Sequence, residues 1–190
     1  LVFRLERAER RALYCQSLVS TFVQSARDAY PDAQPQSIAA SSLVEALLDE
    51  FPFEDNERAC VALDVRRDFR LPGRRDLLYL VLCTLAKNAL LALRGRSAPR
   101  LTLQVDCASD AVKGTRCWIR VHDNGPGIPP EVLAKLTREP VTTRAASGGS
   151  GMGLMFCQRV MQAIDGAIEV HSTLGEGTMV TLNFRPLAAA

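Results

Sequence analysis

The stretch Cys117-Trp118-Ile119-Arg120-Val121-His122-Asp123-Asn124-Gly125-Pro126-Gly127-Ile128 decides how the chain is read. Cys117, Ile119 and Val121 alternate with their neighbours, the period of a β-strand with one buried face. The same parity carries Asp123 onto the inward face just as the strand ends, so a carboxylate points toward the core side. The glycines at 125 and 127 then permit tight turns and the close approach of a flat ligand. A surface hairpin also suits Asp-Asn-Gly-Pro-Gly, but a turn carboxylate normally faces water, and the parity of Asp123 counts against that. Held inward, the carboxylate is able to accept a hydrogen bond from an exocyclic amino group such as adenine's, with Ile128 offering apolar contact to the ring.

Outward from this strand the alternation recurs. Leu101, Leu103, Val105 and Cys107 precede it, and Val61, Leu63 and Val65 lie further upstream. Ile168 and Val170 follow it, and then Val180, Leu182 and Phe184. Each set predicts a half-buried strand. Arg75 to Leu93 is apolar on nearly every side, and Gly151 to Ile164 repeats Leu154, Cys157, Met161 and Ile164 at helical spacing. Ser41 and Ser42 with Glu45 have the form of a capped start for a helix running through Leu43, Leu47 and Leu48 to Phe51. Strands facing one helical layer predict an α/β two-layer sandwich. The one conspicuous loop is Pro129 to Gly151, with a short helical turn expected around Val132 to Leu136.

Ahead of this unit, Leu1, Leu5, Ala8, Ala12, Cys15, Val19, Phe22, Ala26 and Ala29 form a seam at spacings of four and three. The seam predicts a long coiled-coil-like or bundled helix over 1–30; an amphipathic helix packed on its own domain is the alternative. Pro31 and Pro35 stop it, since proline removes an amide donor and disfavours helix in the residue before it. The expected organisation is therefore a helix at 1–30, a globular domain at 37–186 and a tail at 187–190.

With 190 residues, 47% hydrophobic and 23% charged, the chain excludes disordered and collagen-like classes. Lys and Arg number 23 against 21 Asp and Glu, so no overall charge draws it to nucleic acid or an anionic membrane, and any anion site must be local. The six cysteines (Cys15, Cys60, Cys83, Cys107, Cys117, Cys157) include no C-x-x-C pair and fall mostly within apolar runs, which predicts reduced thiols with neither disulfide nor zinc. The apolar run Leu77 to Leu93 is broken by Lys87 and Asn88, a better buried helix than a membrane span. No signal-peptide pattern is present, and a chain opening on Leu1 and closing on three alanines reads as part of something longer.

Three further features bear polar groups where apolar ones are expected. Thr84 and Asn88 lie four apart on one stripe of the apolar helix with Lys87 beside them, so Asn88 either bonds a neighbouring backbone group or faces a polar cavity. Gly148-Gly149-Ser150-Gly151-Met152-Gly153-Leu154 opens a helix and aims free amides at whatever lies before it, as a phosphate site does. It has neither Rossmann nor Walker A spacing. Gly175-Glu176-Gly177-Thr178 enters the last strand with Thr178 in the inward parity of Val180, Leu182 and Phe184, toward Asp123.

In this order the motifs resemble those of sensor histidine kinases in the GHKL ATPase superfamily. Leu85-Ala86-Lys87-Asn88-Ala89 is similar to the N box, Asp123-Asn124-Gly125-Pro126-Gly127-Ile128 to the G1 box, Gly149-Ser150-Gly151-Met152-Gly153-Leu154 to the G2 box and Gly175-Glu176-Gly177-Thr178 to the G3 box. Pro140-Val141-Thr142-Thr143-Arg144 resembles the T-T-K stretch that many of these kinases carry before G2. The resemblance spans Ser37 to Pro186, and the leading helix looks like the second helix of a dimerisation and histidine-phosphotransfer hairpin. It implies a Bergerat fold with a mixed sheet, ATP and Mg²⁺ as cofactors, and phosphoryl transfer.

Carried over by residue, the resemblance implies that Asn88 coordinates Mg²⁺ and Asp123 binds the adenine amino group, with Gly125, Gly127, Ile128 and Thr178 shaping the base pocket. Residues Pro129 to Ser150 would cover ATP as a lid. Thr143, Arg144 and Lys87, the G2 residues Gly149 and Ser150, the amides of Gly151, Met152 and Gly153, and Leu154 would serve the phosphate end. It further implies a homodimer through the leading helix, a response-regulator receiver domain and a histidine-bearing helical domain as partners, no nucleic acid, and a cytoplasmic location as part of a membrane-bound sensor.

The chain departs from the pattern at several places. Thr84 stands where hydrolysing relatives carry a water-activating Glu and sensor kinases usually carry Asn, so water activation from this position is not expected. Leu91 and Ala92 replace the usual basic or aromatic residue, and Thr137, Pro140 and Val141 stand where paired phenylalanines are usual. His122, at a strand end, and His171, outward with Glu169, are read as surface or structural residues, so no phosphoacceptor histidine is assigned in this chain. A serine/threonine kinase of the anti-sigma-factor type and a non-catalytic nucleotide-binding dimerisation module are the alternatives.

Overall fold

A computed structural model describes residues 37–54, 56–71, 75–110, 114–134, 136 and 153–185. The expected leading helix at 1–30, Thr143, Arg144 and the residues Gly149 to Met152 lie outside the described residues.

Strand β1 (Ile38–Ala39) leads into helix α1 (Ala40–Glu50), a 3₁₀ turn (Glu57–Cys60), β2 (Val61–Val65) and β3 (Arg70–Leu71). Helix α2 (Arg75–Leu93) is followed by β4 (Leu101–Asp110) and β5 (Gly114–Asp123), then by the short helix α3 (Pro130–Leu133). Helix α4 (Gly153–Ala163), β6 (Ala167–Thr173) and β7 (Gly177–Phe184) complete the order. The main sheet runs β2-β4-β5-β7-β6, with β2 parallel to β4 and the other pairs antiparallel. This is the mixed sheet of the expected two-layer sandwich. Its inward face, Leu101, Leu103, Val105, Cys117, Ile119, Val121 and Leu182, packs under α1, α2 and α4. Helix α2 is long and apolar enough to cross a membrane by composition, but most of that stretch is buried in this core. On the other face of the sheet polar side chains pack on one another: Gln104 donates to Asp64 at 2.8 Å, Arg67 donates to the buried Asp106 at 2.9 Å, and the Arg120 guanidinium stands 4.7 Å over the Trp118 ring.

Two expectations fail here, both because tertiary pairing supplies a partner that the local spacing does not show. Helix α1 has no Ser/Glu capping box: Ala39 is its N-cap residue, without a side-chain cap. Instead Asp68, 27 residues on, accepts from the Ser41 amide at 2.9 Å and the Ser41 hydroxyl at 2.6 Å. Partial burial raises the Asp68 pKa, but the bonds from Ser41, Phe69 and Ala40 outweigh it and hold the carboxyl below its usual range. The two-residue ribbon of β1 with β3, pairing Ile38 with Leu71 and Ala39 with Arg70, brings Asp68 to the helix start.

The second failure concerns the cysteines. Cys107 and Cys117 form a disulfide, where reduced thiols were expected. The β4–β5 hairpin sets these two residues directly opposite each other, a register the spacing alone does not show. Cys83 and Cys157 do match the reading as free, buried thiols, and burial pushes each pKa up to about 12.

Candidate functional site

Asp123 closes β5 on the inward face, 6% exposed, directly opposite Leu101 of β4 and Thr178 of β7. Its Oδ1 accepts from the Gly125 amide at 2.8 Å, which turns the chain away from the sheet immediately after the carboxylate. The parity read from the sequence is therefore correct for both Asp123 and Thr178. Asn124 clamps the adjoining segment: its Oδ1 accepts from the Arg100 amide at 2.8 Å and its Nδ2 donates to the Ala98 carbonyl at 2.9 Å.

The glycines here are required by space. A Cβ on Gly125 would lie 2.6 Å from Asp123 Oδ1 and 3.2 Å from the Ala92 methyl, so the small residue at 92 also belongs to this packing. Gly127, at φ +73°, lies against the Thr173 carbonyl, and Gly177, at φ +132°, against the Asp123 carbonyl; neither position admits a side chain. The tip of the β6–β7 hairpin thus sits on the loop after Asp123, tied by the Gly175 amide donating to the Pro126 carbonyl at 2.8 Å.

Ser172 joins these pieces and was not foreseen. Its hydroxyl lies 2.8 Å from the Ile128 amide, 2.9 Å from the Gly177 carbonyl and 2.9 Å from the Thr178 hydroxyl. The signal available in the sequence was its parity with Ile168 and Val170, which puts a small hydroxyl at the inward end of β6.

The second part of the site lies where α2 meets α4. Lys87 and Asn88 are exposed and Thr84 is half-buried, so Asn88 is not the buried amide that its apolar helix suggested. The start of α4 comes to this stripe instead: a Cβ on Gly153 would be 3.0 Å from the Thr84 methyl and 3.8 Å from Asn88 Nδ2. Leu154, the next residue, is half-buried against the core. The Thr84 hydroxyl turns away and donates to the Leu80 carbonyl, four residues back, at 2.8 Å. Position 84 thus presents a methyl group at this junction.

Asp123, Gly125, Gly127, Ile128 and Thr178 therefore converge at one end of β5 and β7, while Asn88 and Gly153 meet at the α2–α4 junction. A buried carboxylate among glycines packed against main chain, together with a helix N-terminus next to an exposed amide and ammonium, makes an arrangement whose chemistry suits a ligand with a polar ring and an anionic tail.

Comparison with known proteins gives the family and the fold. The family described as histidine kinase-, DNA gyrase B-, and HSP90-like ATPase matches residues 73–188. The CAI-1 autoinducer sensor kinase/phosphatase CqsS of Vibrio cholerae is 32% identical over 143 residues, 75% of this chain and 20% of that protein. The autoinducer 1 sensor kinase/phosphatase LuxN of Vibrio campbellii is 29% identical over 174 residues, 89% of this chain and 19% of that protein. The chain thus spans about a fifth of the length of these curated relatives. Among solved structures, the mycobacterial sensor histidine kinase MprB superposes with a TM-score of 0.63 at 17% identity, covering 81% of this chain and 100% of that one. The catalytic domain of histidine kinase ThkA gives 0.63 at 19% identity, with 81% and 97% covered, so the fold is shared. The chain belongs to the family of histidine kinase-, DNA gyrase B- and HSP90-like ATPases.

Proposed function

We propose that residues 37–186 are the ATP-binding catalytic domain of a two-component sensor histidine kinase, which transfers the γ-phosphoryl group of ATP to a histidine elsewhere in the protein and thence to a response-regulator aspartate. The observation that carries this reading is Asp123: a buried carboxylate at a strand end, facing Thr178 and bordered by glycines that leave no room for side chains. In the reading, Asp123 accepts from the purine amino group, while Gly125, Gly127, Ile128 and Thr178 shape the base pocket. Its similarity to sensor kinases along 75% and 89% of this chain supports the histidine kinase over the serine/threonine kinase.

ATP with Mg²⁺ supplies the transferable phosphoryl group and neutralises its charge. Among the described residues no three His, Cys, Asp or Glu side chains converge as a metal cluster. The residues present still fit a nucleotide-borne Mg²⁺, which takes one or two protein oxygens plus phosphates and water. Asn88 would hold it through its amide oxygen, with Lys87 adding a cation beside it. The amide of Gly153 belongs to the half-buried first turn of α4 and would meet phosphate oxygens; Thr143, Arg144, Gly149, Ser150, Gly151, Met152 and Leu154 would complete the phosphate end and lid. Thr84, with its hydroxyl spent on the Leu80 carbonyl, offers no base to water, which favours transfer over hydrolysis.

We extend the reading to a homodimer formed through the helix at 1–30, a receiver domain and a histidine-bearing helical domain as partners, and a cytoplasmic location. The test is a trans-phosphorylation assay with γ-labelled ATP, Mg²⁺ and a histidine-bearing helical hairpin from the full-length protein. Label on the histidine, acid-labile and base-stable, is expected, and Asn88→Ala should abolish the Mg²⁺ dependence of nucleotide binding more than it harms binding of the base. Label on serine would favour the anti-sigma-factor type, and no label on either a nucleotide-binding module.

A further inference from the structure

Ser172 lies outside the four sequence motifs, yet its hydroxyl touches residues of two of them. It has one proton and two lone pairs, and it makes three contacts: the Ile128 amide at 2.8 Å, the Gly177 carbonyl at 2.9 Å and the Thr178 hydroxyl at 2.9 Å. The directions follow from what each partner is able to do. An amide only donates, so Ser172 accepts from Ile128. A carbonyl only accepts, and two oxygens 2.9 Å apart without a proton between them repel, so Ser172 gives its one proton to Gly177. Thr178 is the one partner able to act either way, and the remaining lone pair of Ser172 requires it to donate.

The Thr178 proton is thereby committed to Ser172, and its oxygen keeps acceptor capacity only. Thr178 stands directly opposite Asp123 on the same face of the sheet, where paired Cβ atoms are about 5 Å apart. An ionised carboxylate is likewise acceptor-only. A 6-amino group meets these two acceptors with its two N–H donors; a 6-oxo group meets them with a third acceptor, and the purine that carries it keeps a single donor on that edge, N1–H.

We propose that Ser172 is a positioning residue which, by holding the Thr178 hydroxyl as an acceptor, sets the preference of the site for 6-amino over 6-oxo purine nucleotides. The proposal rests on the nucleotide-site reading above. Without Ser172, the Thr178 hydroxyl is free to rotate and donate to a 6-oxo group, so discrimination falls even where overall binding is kept.

The test measures dissociation constants of the whole chain for ATP and for inosine triphosphate, which differ at the 6-position and in the proton that inosine carries on N1. The unaltered protein should prefer ATP. Ser172→Ala should reduce the ATP-to-inosine triphosphate affinity ratio about five- to tenfold, the worth of one hydrogen bond exchanged for a mismatch. Ser172→Thr, which retains the hydroxyl, should keep the ratio. Should the alanine variant fail to fold, Ser172→Cys supplies the same reading, because a thiol of similar size is a poor donor. Equal weakening of both nucleotides in Ser172→Ala, with the ratio unchanged, would overturn the proposal and leave the site reading standing. An unaltered protein that binds neither nucleotide, or both alike, would instead overturn the base-pocket reading itself, and this inference with it.

Discussion

The two ends of the site are built differently. At the base end, Asp123 is 6% exposed, Gly177 and Gly127 lie against backbone carbonyls, and Ser172 ties the loop after β5 to the β6–β7 hairpin. At the phosphate end, Lys87 and Asn88 are exposed, and the described contact is one between side chain and backbone, the Thr84 methyl on Gly153. The base end is thus fixed by main chain that cannot move without opening the sheet. The phosphate end is set by how two helices rest on each other. Substitutions at the first should cost stability or affinity heavily; those at the second should act more gently and mainly on ligand binding.

The largest effect expected is from Gly177→Ala. A Cβ there meets the Asp123 carbonyl at a backbone angle that L-residues rarely adopt, so a loss of about 3 kcal/mol or more in unfolding free energy should appear in urea titration. Near-unchanged stability would show that the hairpin does not press on Asp123 and would dissolve the contrast. Asp123→Asn comes next. The new amide oxygen still accepts from Gly125, so the thermal midpoint should hold within a few degrees. Calorimetry should meanwhile record a ten- to hundredfold weaker affinity for ATP, corresponding to the roughly 1.5–3 kcal/mol of a hydrogen bond to a charged group. If affinity is retained, the base is not read by this carboxylate.

The smallest effect belongs to the phosphate end and sharpens the comparison most. Gly153 has an ordinary helical backbone angle, so Gly153→Ala carries no conformational strain, and among the described residues its Cβ comes nearest the Thr84 methyl, at 3.0 Å. Thr84 is β-branched and pinned by its bond to Leu80, so α4 must yield instead. ATP affinity should fall a few-fold, about 1 kcal/mol of overpacking. Thr84→Ser removes that methyl, leaving Asn88 Nδ2 at 3.8 Å as the next neighbour, so the double variant should recover the lost affinity. Additive losses in the double-variant cycle would mean that the two helices do not meet through this contact.

Much of this arrangement is legible in the sequence. Alternation located the five main strands, and the parity of positions 117, 119, 121 and 123 placed Asp123 inward, because a strand's side chains change face at every residue whatever its neighbours are. The continuous apolar run of α2 marked a buried helix for the same local reason. The two-residue strands β1 and β3 carried no period to read, being too short to repeat.

The sequence by itself therefore determined the five main strands, the helices α1, α2 and α4, and the parity by which strand residues face the core, since periodicity is a property of the local backbone. Only the tertiary structure decided the partners: Cys107 with Cys117, Ser41 with Asp68, Ser172 with Ile128 and Thr178, and the Thr84 methyl rather than its hydroxyl against Gly153. Each depends on strand register or on helix-to-helix placement, which a hairpin closes over six to ten residues and a helix pair over tens, and which the local period of either partner does not record.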